Sequence, residues 1–264
     1  MRHEAKALRE TACSRYQDIS SPSGTTRRWC RPVFSAKVRP LSAACRESGM
    51  QPKLARGHRT RRRKSLQIVL LSDMHDLFRE VEVPEGDLLL CAGDWTMQSH
   101  SFRSIVDFDQ WLGELPHRHK VCVPGNHETY LQAKPANRSL ISNAVLLINE
   151  GIEIEGLRIW GSPVTPVGPA FGMKSAEDRR SLYTTIPDDI DILITHGPPF
   201  GILDRSRGSE RHQGDPVLLD AIMRLRPQLH VFGHVHLDKD EPRIFETEHT
   251  VFVNAGPAWT GWRD

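Results

Sequence analysis

From Leu66 onward the chain alternates short apolar runs with amphipathic or irregular stretches, and the runs repeatedly break off at polar residues. Leu66 to Leu71 reads as a buried strand ending at Ser72–Asp73, and Asp87 to Ala92 as a second ending at Gly93–Asp94. Lys120 to Val123 runs into Pro124–Gly125–Asn126–His127, Asp189 to Ile194 into Thr195–His196, and Leu229 to Phe232 into Gly233–His234. Ala144 to Ile148 and Gly156 to Trp160 read as further strands around a turn at Glu150–Gly151, and Arg243 to Phe245 with Thr250 to Val253 as a closing hairpin. Residues 101–115 place Phe102, Ile105, Val106, Phe108, Trp111 and Leu112 at helical spacing, and Pro216 to Leu225 reads as a second helix. Strands this short and this apolar, alternating with helices, predict an α/β protein whose sheets are covered on both faces. Ligands in such folds gather at the carboxyl ends of the strands, where the polar residues fall here.

Residues 1–64 have a different texture. They show no sustained period of 2 or 3.6, and they end in the run Arg59–Thr60–Arg61–Arg62–Arg63–Lys64. Chain of this kind cannot bury enough apolar surface to offset its ordering entropy, which predicts a disordered basic tail ahead of one domain over residues 65–264. The overall charge of +2 hides this division: residues 1–64 carry 17 Lys and Arg against 4 Asp and Glu, and residues 65–264 carry 18 against 29. The tail could be a transit peptide, an arm for nucleic acid or anionic lipid, or an inert stretch ahead of a true start at Met50. An apolar share of 38% and a charged share of 26% fit a soluble globular protein, and no run approaches the ~20 apolar residues of a membrane span. The five cysteines are odd in number and widely spaced, and Cys91 and Cys122 lie inside apolar runs, so buried free thiols in the reducing cytoplasm are expected.

Five clusters carry candidate chemistry: Asp73–Met74–His75, Gly93–Asp94, Gly125–Asn126–His127–Glu128, Thr195–His196–Gly197–Pro198–Pro199 and Gly233–His234–Val235–His236. In extended backbone residues i and i+2 share a side, so Asp73 and His75 can converge, and so can His234 and His236. Carboxylates, imidazoles and an amide oxygen suit borderline divalent ions such as Zn, Mn or Fe, and the absence of Cys argues against a structural zinc site. Glycines ahead of Asp94, Asn126 and His234 allow close backbone approach. A single Asp after a strand is usually a turn or capping residue, and His230, inside an apolar strand, reads as a core residue. The whole ordered set is harder to attribute to packing, because burying so many charged groups without a cation costs several kcal/mol per ion.

The order D-x-H, G-D, G-N-H-E, T-H-G-P-P and G-H-x-H resembles the calcineurin-like metallophosphoesterases. The stretches Asp109–Gln110–Trp111–Leu112–Gly113 and Thr195–His196–Gly197–Pro198–Pro199 narrow the likeness to the small, capless branch that includes cyclic-nucleotide phosphodiesterases. The resemblance covers roughly residues 66–256. It implies a four-layer αββα sandwich of two mixed sheets flanked by helices, and two divalent ions. One ion would be held by Asp73, His75, Asp94 and His236, the other by Asp94, Asn126, His196 and His234, with Asp94 bridging.

A mechanism follows from that resemblance: water activated between the ions attacks phosphorus, and His127 protonates the leaving alkoxide. Its catalytic set is then His127, Asp94 and Asn126, and its substrate a small phosphate ester, with small phosphodiesters leading. Many relatives read G-D-x-x-D, but here the run is Gly93–Asp94–Trp95–Thr96–Met97, so the group that orients His127 is open. A nuclease using the basic tail, a phosphomonoesterase and a non-catalytic scaffold are the alternatives. The irregular segment from Ser162 to Gly172 is a candidate cleft border, and Arg179, Arg180 and Arg205 are candidate phosphate contacts against a solvated alternative. No motif speaks to oligomeric state.

Overall fold

The computed structural model describes residues 34–38, 66–97, 102–238 and 240–257. Among the described residues eleven strands form two sheets: β1 (Phe34–Val38), β2 (Leu66–Leu71), β3 (Leu88–Cys91), β4 (His119–Cys122) and β5 (Val145–Leu146) in one, and β6 (Glu150–Ile154), β7 (Leu157–Ser162), β8 (Ile192–Thr195), β9 (Leu229–Phe232), β10 (Ile244–Glu246) and β11 (Val251–Asn254) in the other. The first sheet has order β1-β2-β3-β4-β5, parallel except for β1, and the second β10-β11-β9-β8-β7-β6, parallel in its centre with antiparallel edges.

The sheets pack face to face. Alternate residues of each strand supply this inner layer: Ile68, Leu70 and Leu90 from the first sheet meet Ile159, Ile194 and Val231 from the second. The other faces carry helices. Val69, Leu71 and Leu89 pack under α1 (Phe102–Glu114) through Ile105, Phe108 and Leu112. Leu193, Phe232 and Phe252 pack under α3 (Ala176–Thr184) and α4 (Pro216–Leu225). The result is the αββα sandwich of two mixed sheets that the sequence led us to expect. Both faces of the central strands are buried, which is why they read as continuous apolar runs and not as alternation.

The expected strands and the two expected helices are present with bounds shifted by a few residues, and three local differences have physical causes. Glu150–Gly151 is not a turn; it opens β6, and the chain reverses at Glu155–Gly156, both at positive φ (50° and 82°), which suits a two-residue hairpin. Helix α3 is absent from the apolar pattern because it buries only Arg179 and Tyr183, but its start is marked by Ser175, which caps Asp178 N at 3.1 Å. A further short helix, α2 (Thr129–Ala133), buries Leu131 alone. The expectation of a disordered tail over residues 1–64 falls outside the described residues except at Phe34–Val38. There the chain is a strand paired antiparallel with β2, in a stretch whose Phe, Ala and Val alternate with Ser and Lys.

Candidate metal centre

All the parallel strands point their carboxyl ends the same way, and the five clusters follow the ends of β2, β3, β4, β8 and β9. The loop after β2 runs beside the loop after β3: Asp73 N donates to Gly93 O (2.9 Å), His75 N to Asp94 O (3.0 Å) and Asp76 N to Trp95 O (2.8 Å). Trp95 is fully buried and stacks on Phe108 of α1, ring centroids 4.6 Å apart, so the loop bearing Asp94 is anchored to the outer helix layer.

Asp73 and His75 converge, but not by strand alternation. Asp73, His75, Asp94 and His234 all take positive φ, between 47° and 66°. The left-handed region costs a non-glycine residue about 1–2 kcal/mol, and four such residues at one site mark backbone held there by its surroundings. Asp73 is held by His234 N, which donates to both its oxygens (3.1 and 3.0 Å). Close packing explains two glycines. A Cβ on Gly233 would lie 2.0 Å from Asp73 Oδ2, and one on Gly93, at φ 99°, would lie 2.4 Å from His196 Nδ1.

Three groups of side chains lie close enough to share an ion, with ligand atoms within 4.8 Å of one another: Asp73, His75 and His236; His75, Asp94 and His127; Asp94, His196 and His234. His236 Nε2 is 3.4 Å from Asp73 Oδ1 and 3.3 Å from His75 Nε2. His196 Nε2 is 3.2 Å from Asp94 Oδ2 and 2.9 Å from Asn126 Oδ1. Every residue expected to bind metal therefore meets at least one other expected ligand.

The donor chemistry fits a cation. His196 Nδ1 donates to Ala92 O at 2.8 Å, which leaves Nε2 presenting a lone pair toward the oxygens of Asp94 and Asn126. Lone pairs that converge in a buried site need a positive charge between them. Without metal a proton serves: burial disfavours charge on His196, but the Asp94 carboxylate raises its pKa to about 9. Burial also works against ionised Asp73 and Asp94, yet His236 and His196 respectively hold both below the usual carboxylate range. Burial, then the charge of His196, lowers His234 to about 4.

His127 is three-quarters buried and lies against Asp94: Nε2 is 3.7 Å from Asp94 Oδ2, and its main-chain N donates to Asp94 Oδ1 at 2.9 Å. Its Nδ1 donates to the main-chain carbonyl of Met97, the position where many relatives carry the second acid. A neutral main-chain carbonyl thus orients the ring.

Glu128, the last residue of the Gly125–Asn126–His127–Glu128 motif, ties two loops together. Wholly buried, it accepts from Asp94 N (3.0 Å), Gly125 N (2.6 Å), Thr96 N (3.0 Å) and Thr96 Oγ1 (2.9 Å). Burial, then the charge of Asp94, pushes its pKa up to about 7 against the pull of the amides. Arg243, after β9, is half-buried and donates to Gly256 O; burial lowers its pKa, with the charge of Asp73 the larger of the two opposing influences.

The three candidate phosphate contacts resolve differently. Arg179 is 5% exposed and forms a two-point pair with Asp215 (2.8 and 3.2 Å), so it braces the fold. Arg180 is exposed on α3, and Arg205 contacts His212 and Glu210. The Ser162–Gly172 segment lies against Asn126: Ala170 N donates to Asn126 O at 3.2 Å. His230 is a fully buried core residue, with Nε2 2.8 Å from Thr195 Oγ1.

Fold and site together define an αββα-sandwich protein with a buried His, Asp and Asn cluster suited to divalent ions. A family model for calcineurin-like phosphoesterase matches residues 66–238. UPF0046 protein K07C11.7 of Caenorhabditis elegans is 32% identical, with 72% of this chain and 69% of that protein aligned. Metallophosphoesterase domain-containing protein 1 of Homo sapiens is 33% identical, with 72% and 65% aligned, so the match spans slightly under two-thirds of the human protein. In fold the chain is similar to the crystal structure of TT1561 of Thermus thermophilus, with a TM-score of 0.50, 14% identity and 72% and 89% coverage. The chain belongs to the calcineurin-like phosphoesterases, a family of phosphoric ester hydrolases that use divalent metals.

Proposed function

We propose that this protein hydrolyses small phosphodiesters with two divalent ions, held by Asp73, His75, Asp94 and His236 on one side and Asp94, Asn126, His196 and His234 on the other. The observation that carries this reading is the double engagement of Asp94: its carboxylate belongs to the group with His75 and His127 and also to the group with His196 and His234. Two ions there would supply an activated water and neutralise charge on the phosphate oxygens. The chain's own residues do the rest. Ala92 O fixes His196 with Nε2 facing inward, and Glu128 holds the main chain of Asp94 and Gly125. His127, oriented by Met97 O, is the proton donor to the leaving alkoxide.

Manganese, zinc and iron all suit this donor mix. No helix among the described residues is long and apolar enough to cross a membrane. Cys91 and Cys122, paired across β3 and β4, are buried free thiols, which supports a reducing compartment such as the cytoplasm. Hydrolysis of bis-p-nitrophenyl phosphate with added Mn tests the reading; absence of metal-dependent turnover would favour a non-catalytic scaffold. A nuclease reading draws on the basic residues 1–64, but the acidic balance of residues 65–264 opposes a long nucleic-acid track.

A further inference from the structure

The chain between Pro199 and Asp215 folds into a closed loop. Pro199 bridges Asp215, Arg205 bridges His212, and the tip turns at Ser206 O, which accepts Ser209 N at 2.9 Å. Buried Asp204 is its hub, accepting from Gly201 N (2.9 Å), Gly214 N (3.0 Å) and His212 Nδ1 (2.6 Å). With Nδ1–H so engaged, His212 Nε2 accepts from Arg205 Nη2 at 3.1 Å.

This loop is fastened to the candidate metal centre. Arg207 N donates to His236 O at 3.0 Å, and Asn254 Nδ2 donates both to Leu203 O (3.1 Å) and to Val235 O (2.9 Å). Its tip carries Arg205, Arg207 and Arg211 against the exposed carboxylate of Glu210 and the buried one of Asp204, on a domain that is acidic overall. Glu210 is fully exposed and 3.4 Å from Arg205. The exposed side chains of Arg207 and Arg211 have no ion-pair partner among the described residues. The loop's own fold uses Asp204, His212 and Gln213, and does not need either arginine.

We propose that this tip is a subsite for a second phosphate group on the substrate, separate from the phosphoester that is cleaved. The proposal rests on the phosphoesterase reading above. A phosphate monoester carries about −1.5 to −2 at pH 7 and presents three acceptor oxygens, enough to engage both Arg207 and Arg211. Guanidinium groups bind phosphate oxygens through paired N–H donors.

The test uses the full chain with Mn and two substrates, the p-nitrophenyl ester of thymidine 5′-phosphate with and without a 3′-phosphate. The wild type is expected to favour the 3′-phosphorylated ester in kcat/KM by about tenfold, mainly through KM, and less so as salt rises. In the Arg207→Ala/Arg211→Ala double variant, with its melting temperature checked, the ratio should fall to near one; Glu210→Gln should raise it. Equal kcat/KM in the wild type, or a ratio that survives the double substitution, would overturn the subsite. If neither ester is hydrolysed, the phosphoesterase reading fails on its own, and calorimetry still decides the subsite. Tighter binding of thymidine 3′,5′-bisphosphate than of thymidine 5′-phosphate, lost in the double variant, sustains it; equal binding overturns it.

Discussion

At the scale of single residues, Glu128 separates what sequence can and cannot tell. Its motif was visible, but its role lies in four donors drawn from residues 94–125 and is readable only in three dimensions. Glu128→Ala would strand those donors in a dry site at roughly 1–3 kcal/mol each, partly relieved by water. The expected loss is about 3 kcal/mol in urea unfolding, with weakened metal binding; a change under about 0.5 kcal/mol would show that the bracing is idle. His127 makes a contrasting case. His127→Ala should slow turnover roughly 10²–10⁴-fold while metal content, measured by mass spectrometry, stays at wild-type level. Loss of metal would instead make His127 a ligand. The cluster residues themselves were legible because they follow strand ends in a fixed order, whereas the left-handed backbone at Asp73, His75, Asp94 and His234 leaves no mark on composition.

At the scale of elements, the buried strands and the two strongly amphipathic helices announced themselves, and the weakly apolar pieces did not. Helix α3 has no apolar stripe to announce it, because, of its two buried side chains, Arg179 is charged and reads as a surface residue, and Tyr183 stands alone. That arginine joins three pieces of chain: it pairs with Asp215, the cap of α4, and donates to Met173 O (2.6 Å) and Lys174 O (2.9 Å). Removing one partner of a buried pair leaves an uncompensated charge, so Arg179→Ala should cost about 3–5 kcal/mol by urea unfolding. A cost below ~1 kcal/mol would mean that water already screens the pair. Asp109, in the stretch that resembles relatives, pins α1 to the Ser142–Asn143 loop by accepting from Ser142 N, Ser142 Oγ and Asn143 N, each at 2.8 Å. The misplaced turn at Glu150–Gly151 has a simple origin, since a glycine can open a strand as well as close one.

At the scale of the whole molecule, the buried histidines set how stability follows pH. Burial holds His230 at about 3, below the ordinary 6.5. Between those values the unfolded chain takes up a proton that the folded chain refuses, so stability falls as pH drops below 6.5. From pH 6.5 to 5 one such histidine costs about 2 kcal/mol, and His230→Phe should flatten that part of the urea-midpoint profile. His196 acts in the opposite direction in the metal-free chain: raised to about 9, its contribution is complete below 6.5 and is lost as pH climbs toward 9. Metal arriving at Nε2 must displace that proton, so calorimetric titration with Mn at pH 7.5 in buffers of differing ionisation enthalpy should show proton release. The sharpest single measurement is metal stoichiometry together with turnover of bis-p-nitrophenyl phosphate, for the wild type and for Asp94→Ala. Two ions per chain with Mn-dependent hydrolysis are expected in the wild type, and loss of at least one ion with loss of turnover in the variant. A wild-type chain that holds one ion or none, or an Asp94→Ala chain that keeps both ions and full activity, would contradict a shared two-metal centre.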